Sequence, residues 1–151
     1  MKAQRFEGGS SMLPKVAFVC THNAKRSQIA EALGRHLASD VFESYSGGTE
    51  VKSEMNPDAV RLMKEMYGVD MEIVQKPKLV SALPLVDIVV ATGCGEACPF
   101  LPCRYMEHWE FDDTVSQGDE ALRQLIHSIE EKVLDLKERV KSGVVFEEVM
   151  F

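Results

Sequence analysis

Short apolar runs alternate along the chain with longer segments in which apolar residues recur at helical spacing. The first run, Lys15–Cys20, is nearly continuous, which is typical of a strand buried on both faces of a parallel sheet. Weak alternation over Val41–Ser46, ending at Gly47-Gly48, predicts a second strand and a turn. A third strand is expected over Val86–Ala91 and a short fourth one over Arg104–His108.

The helical segments lie between these strands. From Ser27 onwards, Ile29, Ala30, Leu33 and Leu37 predict a helix that follows the first loop directly. The last helix has the clearest pattern and is expected to end at Gly143; its apolar face consists of Ala121, Leu122, Leu125, Ile129, Val133, Leu136 and Val140.

A second helix is predicted after Asn56-Pro57, because Asn can cap a helix and Pro suits its first position. It should end at Gly68 and bury a stripe formed by Val60, Met63 and Met66 or Tyr67. The stretch from residue 73 to 84 is harder to assign, and we expect a short helix or an irregular segment around Leu79 and Leu83.

Alternating strands and helices indicate an α/β protein with a single domain, in which helices flank a four-stranded, open, parallel sheet. We expect a flexible leader over residues 1–14, the domain over 15–143 and a tail over 144–151. Cys20, Cys94 and the acidic pair Asp112-Asp113 closely follow predicted strands. They should therefore meet at the rim where such sheets bind ligands.

The overall charge restricts the partners. The chain has 151 residues and a formal net charge of -7, which argues against nucleic acid or an anionic membrane as a general partner. No apolar run has the length of a membrane span, and the first residues lack the apolar core of a signal peptide. We therefore expect a cytoplasmic protein, whose four cysteines are not a disulfide framework.

The segment Cys20–Ser27 combines a thiol, an arginine and a hydroxyl between a strand and a helix. Backbone N–H groups and the helix dipole at such a position favour both a thiolate and a bound oxyanion. Arg26 can clamp the anion and Ser27 can donate a hydrogen bond to the sulfur. The less favoured alternative is a buried cysteine that merely ends a strand. The candidate oxyanion-binding residues are Thr21, His22, Asn23, Ala24, Lys25, Arg26 and Ser27.

The segment Cys-Thr-His-Asn-Ala-Lys-Arg-Ser resembles the phosphate-binding loop of the low-molecular-weight protein tyrosine phosphatase superfamily. With the following Gln-Ile-Ala-Glu it is most similar to the thiol-dependent arsenate reductases of that superfamily. The resemblance extends from Val16 through the last helix and includes Tyr45–Gly48 and Asn56-Pro57. It implies that Cys20 attacks arsenate, with no cofactor.

A second group of cysteines follows the third strand, at Cys94, Cys98 and Cys103. The resemblance implies a relay in which Cys94 attacks Cys20, Cys98 attacks Cys94, and a thioredoxin-type dithiol reduces the resulting disulfide. It assigns no role to Cys103, which we interpret as structural or incidental. The less favoured alternative is a zinc site that includes His108, but the spacings do not match paired knuckles, so we expect no metal.

The resemblance also implies a general acid after the fourth strand. Asp113 is the matching residue, although Thr114 stands where the family usually has proline, which leaves Asp112 as an alternative. Some relatives bind a potassium ion, and Asn23, Glu31 and Ser46 match such ligands, but no further acidic ligand is evident.

Two other functions stay open from the sequence. A phosphatase would use Cys20, Arg26 and Asp113 to hydrolyse phosphotyrosine or a small phosphoester and would not need Cys94 or Cys98. A sensor that binds phosphate or arsenic without turnover is the third possibility.

Overall fold

The computed structural model describes residues 13–21, 25–50, 53–93, 101–111 and 118–145. Within these ranges the sheet consists of four strands in the order β2-β1-β3-β4, and each neighbouring pair is parallel. The parallel four-stranded sheet predicted from the sequence is therefore confirmed. The strands are β1 (Lys15–Cys20), β2 (Glu43–Gly48), β3 (Ile88–Ala91) and β4 (Tyr105–His108).

The described residues form four α-helices beside the sheet: α1 (Arg26–Ala38), α2 (Pro57–Tyr67), α3 (Met71–Val74) and α4 (Asp119–Ser142). The predicted start of α2 is confirmed, because the Asn56 side chain accepts a hydrogen bond from the backbone N–H of Ala59 at 3.0 Å. Gly68 and Gly143 end α2 and α4 in the left-handed conformation, as predicted. In the described part of the chain, no helix is both long and apolar enough to cross a bilayer.

Strand β2 differs from the sequence prediction at both ends. It begins at Glu43 rather than at Val41, because the N–H groups of Val41 and Phe42 both bond to the carbonyl of Ala38 and close the end of α1. The predicted turn at Gly47-Gly48 is wrong, since both residues belong to β2 and pair with Val19 and Cys20.

The stretch from 73 to 84 contains the end of α3 and a short 3-10 helix at Val80–Ala82, in agreement with the short helix or irregular segment expected around Leu79 and Leu83.

The predicted buried stripe of α2 is also wrong in part. The buried residues are Ala59, Leu62 and Met63, whereas Val60 is only partly buried, as are Met66 and Tyr67. Both sets have helical spacing, and Val60, Met66 and Tyr67 still pack against the buried core.

The sheet has an apolar core on both faces. Phe18 packs in the larger core with residues of α1, α2 and α4, among them Leu33, Ile126 and Ile129. Val19 lies in a smaller core on the other face. Because alternate residues of β1 enter opposite cores and both are apolar, the strand appears in the sequence as an uninterrupted apolar run.

Strand β1 lies in the interior of the sheet, with β2 on one side and β3 on the other. The backbone N–H of Thr92 bonds to the carbonyl of Val19 at 2.8 Å, and that of Trp109 bonds to Ala91 at 2.7 Å. The segments that follow β1, β3 and β4 therefore start side by side on one rim. The direction of the connections changes at β1, so this rim is where a sheet of this type binds its ligand.

Candidate active site

Cys20 ends β1 on this rim, and its thiol lies against the first turn of α1. The sulfur of Cys20 is 2.9 Å from the hydroxyl oxygen of Ser27, which is fully buried, whereas Cys20 is partly exposed. A hydroxyl that donates to a thiolate stabilises the anionic form. This distance permits the hydrogen bond between Ser27 and Cys20 that the sequence predicts.

Arg26, the first residue of α1, is attached to the end of β3. Its Nε donates to the carbonyl of Thr92 at 2.9 Å. Thr92 is fully buried, and its hydroxyl donates in turn to the carbonyl of Val19 at 3.0 Å. The guanidinium is therefore held beside the two central strands. Thr92 carried no signal in the sequence, because its partner Arg26 is 66 residues away.

Gly93 packs directly against this guanidinium. Its φ is +102°, and a Cβ at this position would lie 3.0 Å from both Nε and Nη2 of Arg26. Only glycine combines this backbone conformation with such a close approach. Gly93 therefore makes room for the side chain of Arg26.

A buried carboxylate supports the second turn of α1. Glu31 is 1% exposed; its Oε1 accepts a hydrogen bond from Ser46, and its Oε2 lies 2.7 Å from Arg35. Burial raises the pKa of Glu31, and this effect exceeds the opposing effects of Ser46, Arg35 and Lys78.

The potassium ligands suggested by the resemblance do not form a fitting site among the described residues. Both oxygens of Glu31 are already engaged, and Arg35 and Lys78 already supply positive charge to it. Asn23 lies outside the described residues.

Strand β4 ends in a second polar cluster around Glu107. Arg139 of α4 donates to both oxygens of Glu107 at 2.8 and 2.9 Å, and Trp109 and Tyr105 donate to it at 2.6 and 2.7 Å. Trp109 is 3% exposed, and its ring lies 5.5 Å from that of Phe18. The cluster therefore fixes the chain shortly before the acidic pair.

The structure brings together Cys20, Arg26 and Ser27 of the predicted site. Thr21 accepts a hydrogen bond from the N–H of Glu50 at 2.8 Å, and the carbonyl of Lys25 accepts one from Ile29 at 2.9 Å. These bonds fasten both ends of the loop. The remaining predicted site residues lie outside the described residues: His22, Asn23, Ala24, Cys94, Cys98, Asp112 and Asp113.

Cys103 lies against the smaller apolar core, away from Cys20, Arg26 and Ser27. Burial raises the pKa of its thiol, although the backbone groups of Tyr105 and Val89 oppose this effect. Its location suits the structural interpretation. Within the described ranges, no group of three or more His, Cys, Asp or Glu residues is placed to hold a metal ion; Cys94 and Cys98 of the alternative zinc set are not covered by that statement.

A thiol at the end of the central strand, with an arginine and a hydroxyl on the next helix, defines the class of cysteine-dependent enzymes that act on oxyanions. Residues 15–145 match the family model of low molecular weight phosphotyrosine protein phosphatase. The chain belongs to this family.

The similar proteins include named arsenate reductases. The chain is 42% identical over 103 residues to an arsenate reductase of Shouchella clausii, covering 65% of this chain and 72% of that protein. It is 34% identical over 133 residues to arsenate reductase 2 of Staphylococcus haemolyticus, covering 82% and 96%.

Among solved structures, the thioredoxin-dependent arsenate reductase of Corynebacterium glutamicum superposes with a TM-score of 0.71 at 30% identity. The match covers 89% of this chain, which spans 65% of the length of that longer chain.

Proposed function

We propose that this protein reduces arsenate to arsenite, with Cys20 as the nucleophile and Cys94 and Cys98 as the two thiols that supply the electrons. The observation that carries the proposal is the joint position of Cys20, Ser27 and Arg26, next to the segment that continues through Gly93 into Cys94. Its relatives with the name arsenate reductase support this choice of oxyanion.

The first step joins sulfur to arsenic. The thiolate of Cys20 attacks arsenate, an arsenate oxygen leaves as water, and a Cys20–arsenate adduct forms. Ser27 lies where its hydroxyl stabilises the thiolate, and Arg26 supplies charge for the anion. Asp113 is the proposed donor of a proton to the leaving oxygen.

The second step transfers two electrons. The thiolate of Cys94 attacks the sulfur of Cys20, the sulfur–arsenic bond breaks, and its electron pair goes to arsenic, which leaves as arsenite. The disulfide between Cys20 and Cys94 is then attacked by the thiolate of Cys98, which restores Cys20 and leaves a Cys94–Cys98 disulfide. A thioredoxin-type dithiol reduces this disulfide and completes the cycle, which fits a compartment that keeps thiols reduced, such as the cytoplasm.

The test is a single turnover without any external thiol. The reduced protein is incubated with arsenate, alkylated and analysed by mass spectrometry while released arsenite is measured. We expect one arsenite per chain and a Cys94–Cys98 disulfide. Cys98→Ser should trap the disulfide between Cys20 and Cys94, and Cys94→Ser should release no arsenite.

Cys103→Ser is the matched control, because this thiol lies against the smaller apolar core and has no part in the relay. It should release arsenite as the wild-type protein does. If arsenate binds to the wild-type protein but neither arsenite nor a disulfide appears, the proposal is wrong.

The family match favours one second candidate, a phosphatase that uses Cys20, Arg26 and Asp113. This activity needs one thiol only. A phosphatase would hydrolyse a phosphotyrosine analogue equally well after Cys94→Ser and Cys98→Ser, whereas Cys20→Ser would abolish hydrolysis as well as arsenate reduction.

A further inference from the structure

A buried glutamine from a distant segment contacts the first turn of α1. Gln75, which directly follows α3, is 6% exposed, and its Nε2 donates to the side-chain Oε1 of Gln28 at 2.7 Å and to the backbone carbonyl of Gln28 at 3.1 Å. One amide group thus binds both the side chain and the main chain of the same residue, 47 positions away in the sequence.

The residue that Gln75 holds stands next to the site. Gln28 is fully buried and directly follows Ser27, whose hydroxyl lies 2.9 Å from the sulfur of Cys20. Arg26, on the other side of Ser27, bonds to Thr92. A rotation of this helical turn would therefore move the groups that face both the thiol and the anion.

Gln75 is itself well anchored. Its backbone N–H bonds to the carbonyl of Met71 at 2.9 Å, and Met71 is fully buried in the larger core. A few residues later, the carbonyl of Lys78 accepts a hydrogen bond from Gly48 at 2.9 Å. Gly48 is the residue of β2 that pairs with Cys20. The segment with Gln75 is therefore fixed both to the core and to the strand beside the nucleophile.

Stability alone does not account for this pair of amides. The Oε1 atom of Gln75 is buried and has no hydrogen-bond partner among the described residues. An unsatisfied buried acceptor destabilises a fold, and two apolar side chains of similar size would avoid that effect. The amide of Gln75 provides directional bonds to Gln28, which an apolar contact does not.

We propose that Gln75 is a positioning residue, which orients the first turn of α1 through Gln28 so that Ser27 faces the thiol of Cys20 and Arg26 faces the bound anion. The hydrogen bonds that the Gln75 side chain donates go to Gln28 and not to the thiol. Its effect on the site should therefore depend on Gln28, and this dependence separates a positioning role from a general contribution to stability.

The test is a double-mutant cycle of Gln28→Leu, Gln75→Leu and the double variant. Two properties of the folded protein are measured: the rate at which iodoacetamide alkylates Cys20, quantified by mass spectrometry of its peptide, and the affinity for inorganic phosphate, by calorimetry. Urea unfolding is recorded in parallel to establish that each variant is folded.

Gln75→Leu should slow the alkylation of Cys20 and weaken phosphate binding, each about tenfold. In a protein that already has Gln28→Leu, it should change either property by less than about twofold. Gln75→Met keeps the length of the side chain but has no N–H group to donate, so it should behave like Gln75→Leu even if the leucine variant folds poorly. Gln124→Leu, at an exposed position of α4, is the matched control and should match the wild type.

The proposal is overturned if Gln75→Leu and Gln75→Met lower only the unfolding free energy and leave alkylation and phosphate affinity within about twofold of the wild type. Equal effects of Gln75→Leu with and without Gln28→Leu would overturn it too. Neither measurement requires arsenate chemistry, so both are independent of the proposed reductase activity. If that activity holds, Gln75→Leu should also raise KM for arsenate and lower kcat, because anion and thiol are both misplaced.

Discussion

Several residues of the site are packed so closely against their neighbours that few other side chains would fit. The sulfur of Cys20 and the hydroxyl of Ser27 are 2.9 Å apart, and Arg26 is held between the carbonyl of Thr92 and the backbone of Gly93. Because Gly93 has a positive φ and no room for a Cβ, its identity is determined by the arginine on the neighbouring element. Each of these contacts can be tested by a change of a few atoms.

Gly93→Ala should displace the Arg26 guanidinium and weaken phosphate binding about tenfold or more, because the added methyl group would lie 3.0 Å from two of its nitrogens. Gly118→Ala is the matched control, since Gly118 has nearly the same φ, +101°, but no atom of the described residues lies within 4 Å of the added Cβ. Both variants should lose about 1–2 kcal/mol of stability from backbone strain. Equal phosphate affinity of the two variants, measured by calorimetry, would contradict the prediction.

Ser27→Ala should slow the alkylation of Cys20 by iodoacetamide about tenfold near neutral pH, because a hydrogen bond to a charged group contributes about 1.5–3 kcal/mol. The hydroxyl oxygen of Ser27 lies 2.9 Å from the sulfur. Ser128→Ala, on an exposed part of α4, should leave the rate unchanged. A Ser27→Ala rate equal to that of the wild type would show that Ser27 does not stabilise the thiolate.

Secondary-structure elements bring these residues together in ways that the local pattern does not reveal. The order β2-β1-β3-β4 places the end of β3 next to the end of β1 although 71 positions separate Cys20 from Ala91. On the other side of β3, β4 is tied to α4 by Glu107 and Arg139. Arg139 donates to both carboxylate oxygens, and this ion pair predicts a pH-dependent contribution to stability.

Burial would by itself raise the pKa of Glu107, but hydrogen bonds from Arg139, Trp109 and Tyr105 outweigh it and lower the pKa. A carboxyl whose pKa is lower in the folded protein contributes stability above its ordinary pKa, and this contribution is lost as the pH falls through the folded-state value. Glu107→Gln should therefore lower the free energy of unfolding by about 2 kcal/mol at neutral pH.

The difference between Glu107→Gln and the wild type should shrink as the pH falls below about 4, when the wild-type carboxyl also becomes protonated. Urea unfolding at several pH values measures it. Glu131→Gln, on an exposed part of the same helix that Arg139 belongs to, is the control and should change little at any pH. A deficit of Glu107→Gln that is constant or grows toward acid pH would refute the assignment.

At the scale of the whole molecule, two apolar cores of unequal size lie on the two faces of one sheet. The larger core includes residues of α1, α2 and α4. The smaller core includes Val86 and Val89, and partly buried side chains pack against it. Since the rim with Cys20 is formed by elements that share these cores, the geometry of the site depends on cooperative folding of the entire domain.

Ile126→Ala should therefore lower the free energy of unfolding by about 2–5 kcal/mol, because Ile126 is fully buried in the larger core and its truncation leaves a cavity. Leu85→Ala removes a similar number of atoms from a side chain that is 84% exposed and should change stability by less than about 0.5 kcal/mol. Urea denaturation measures both variants. A similar loss in the two variants would mean that burial does not determine their stability.

Much of the fold was predictable because its signals are local. The continuous apolar run of β1, the helical spacing of α4, the Asn56 cap and the glycines at 68 and 143 each depend on residues close in sequence. The start of β2 and the buried face of α2 were predicted incorrectly, since both depend on how the end of α1 closes and how closely α2 packs.

The sequence by itself determined the order of elements, the thiol at the end of β1 and the arginine and serine that follow it, because the motif Cys20–Ser27 is continuous. Only the tertiary structure decided which groups hold that motif. Thr92, Gly93 and Gln75 lie far from it in sequence, and their contacts arise from the pairing of β1 with β3 and from the segment after α3. Such contacts have no local pattern, since any of many polar residues can satisfy a buried partner once the fold brings them together.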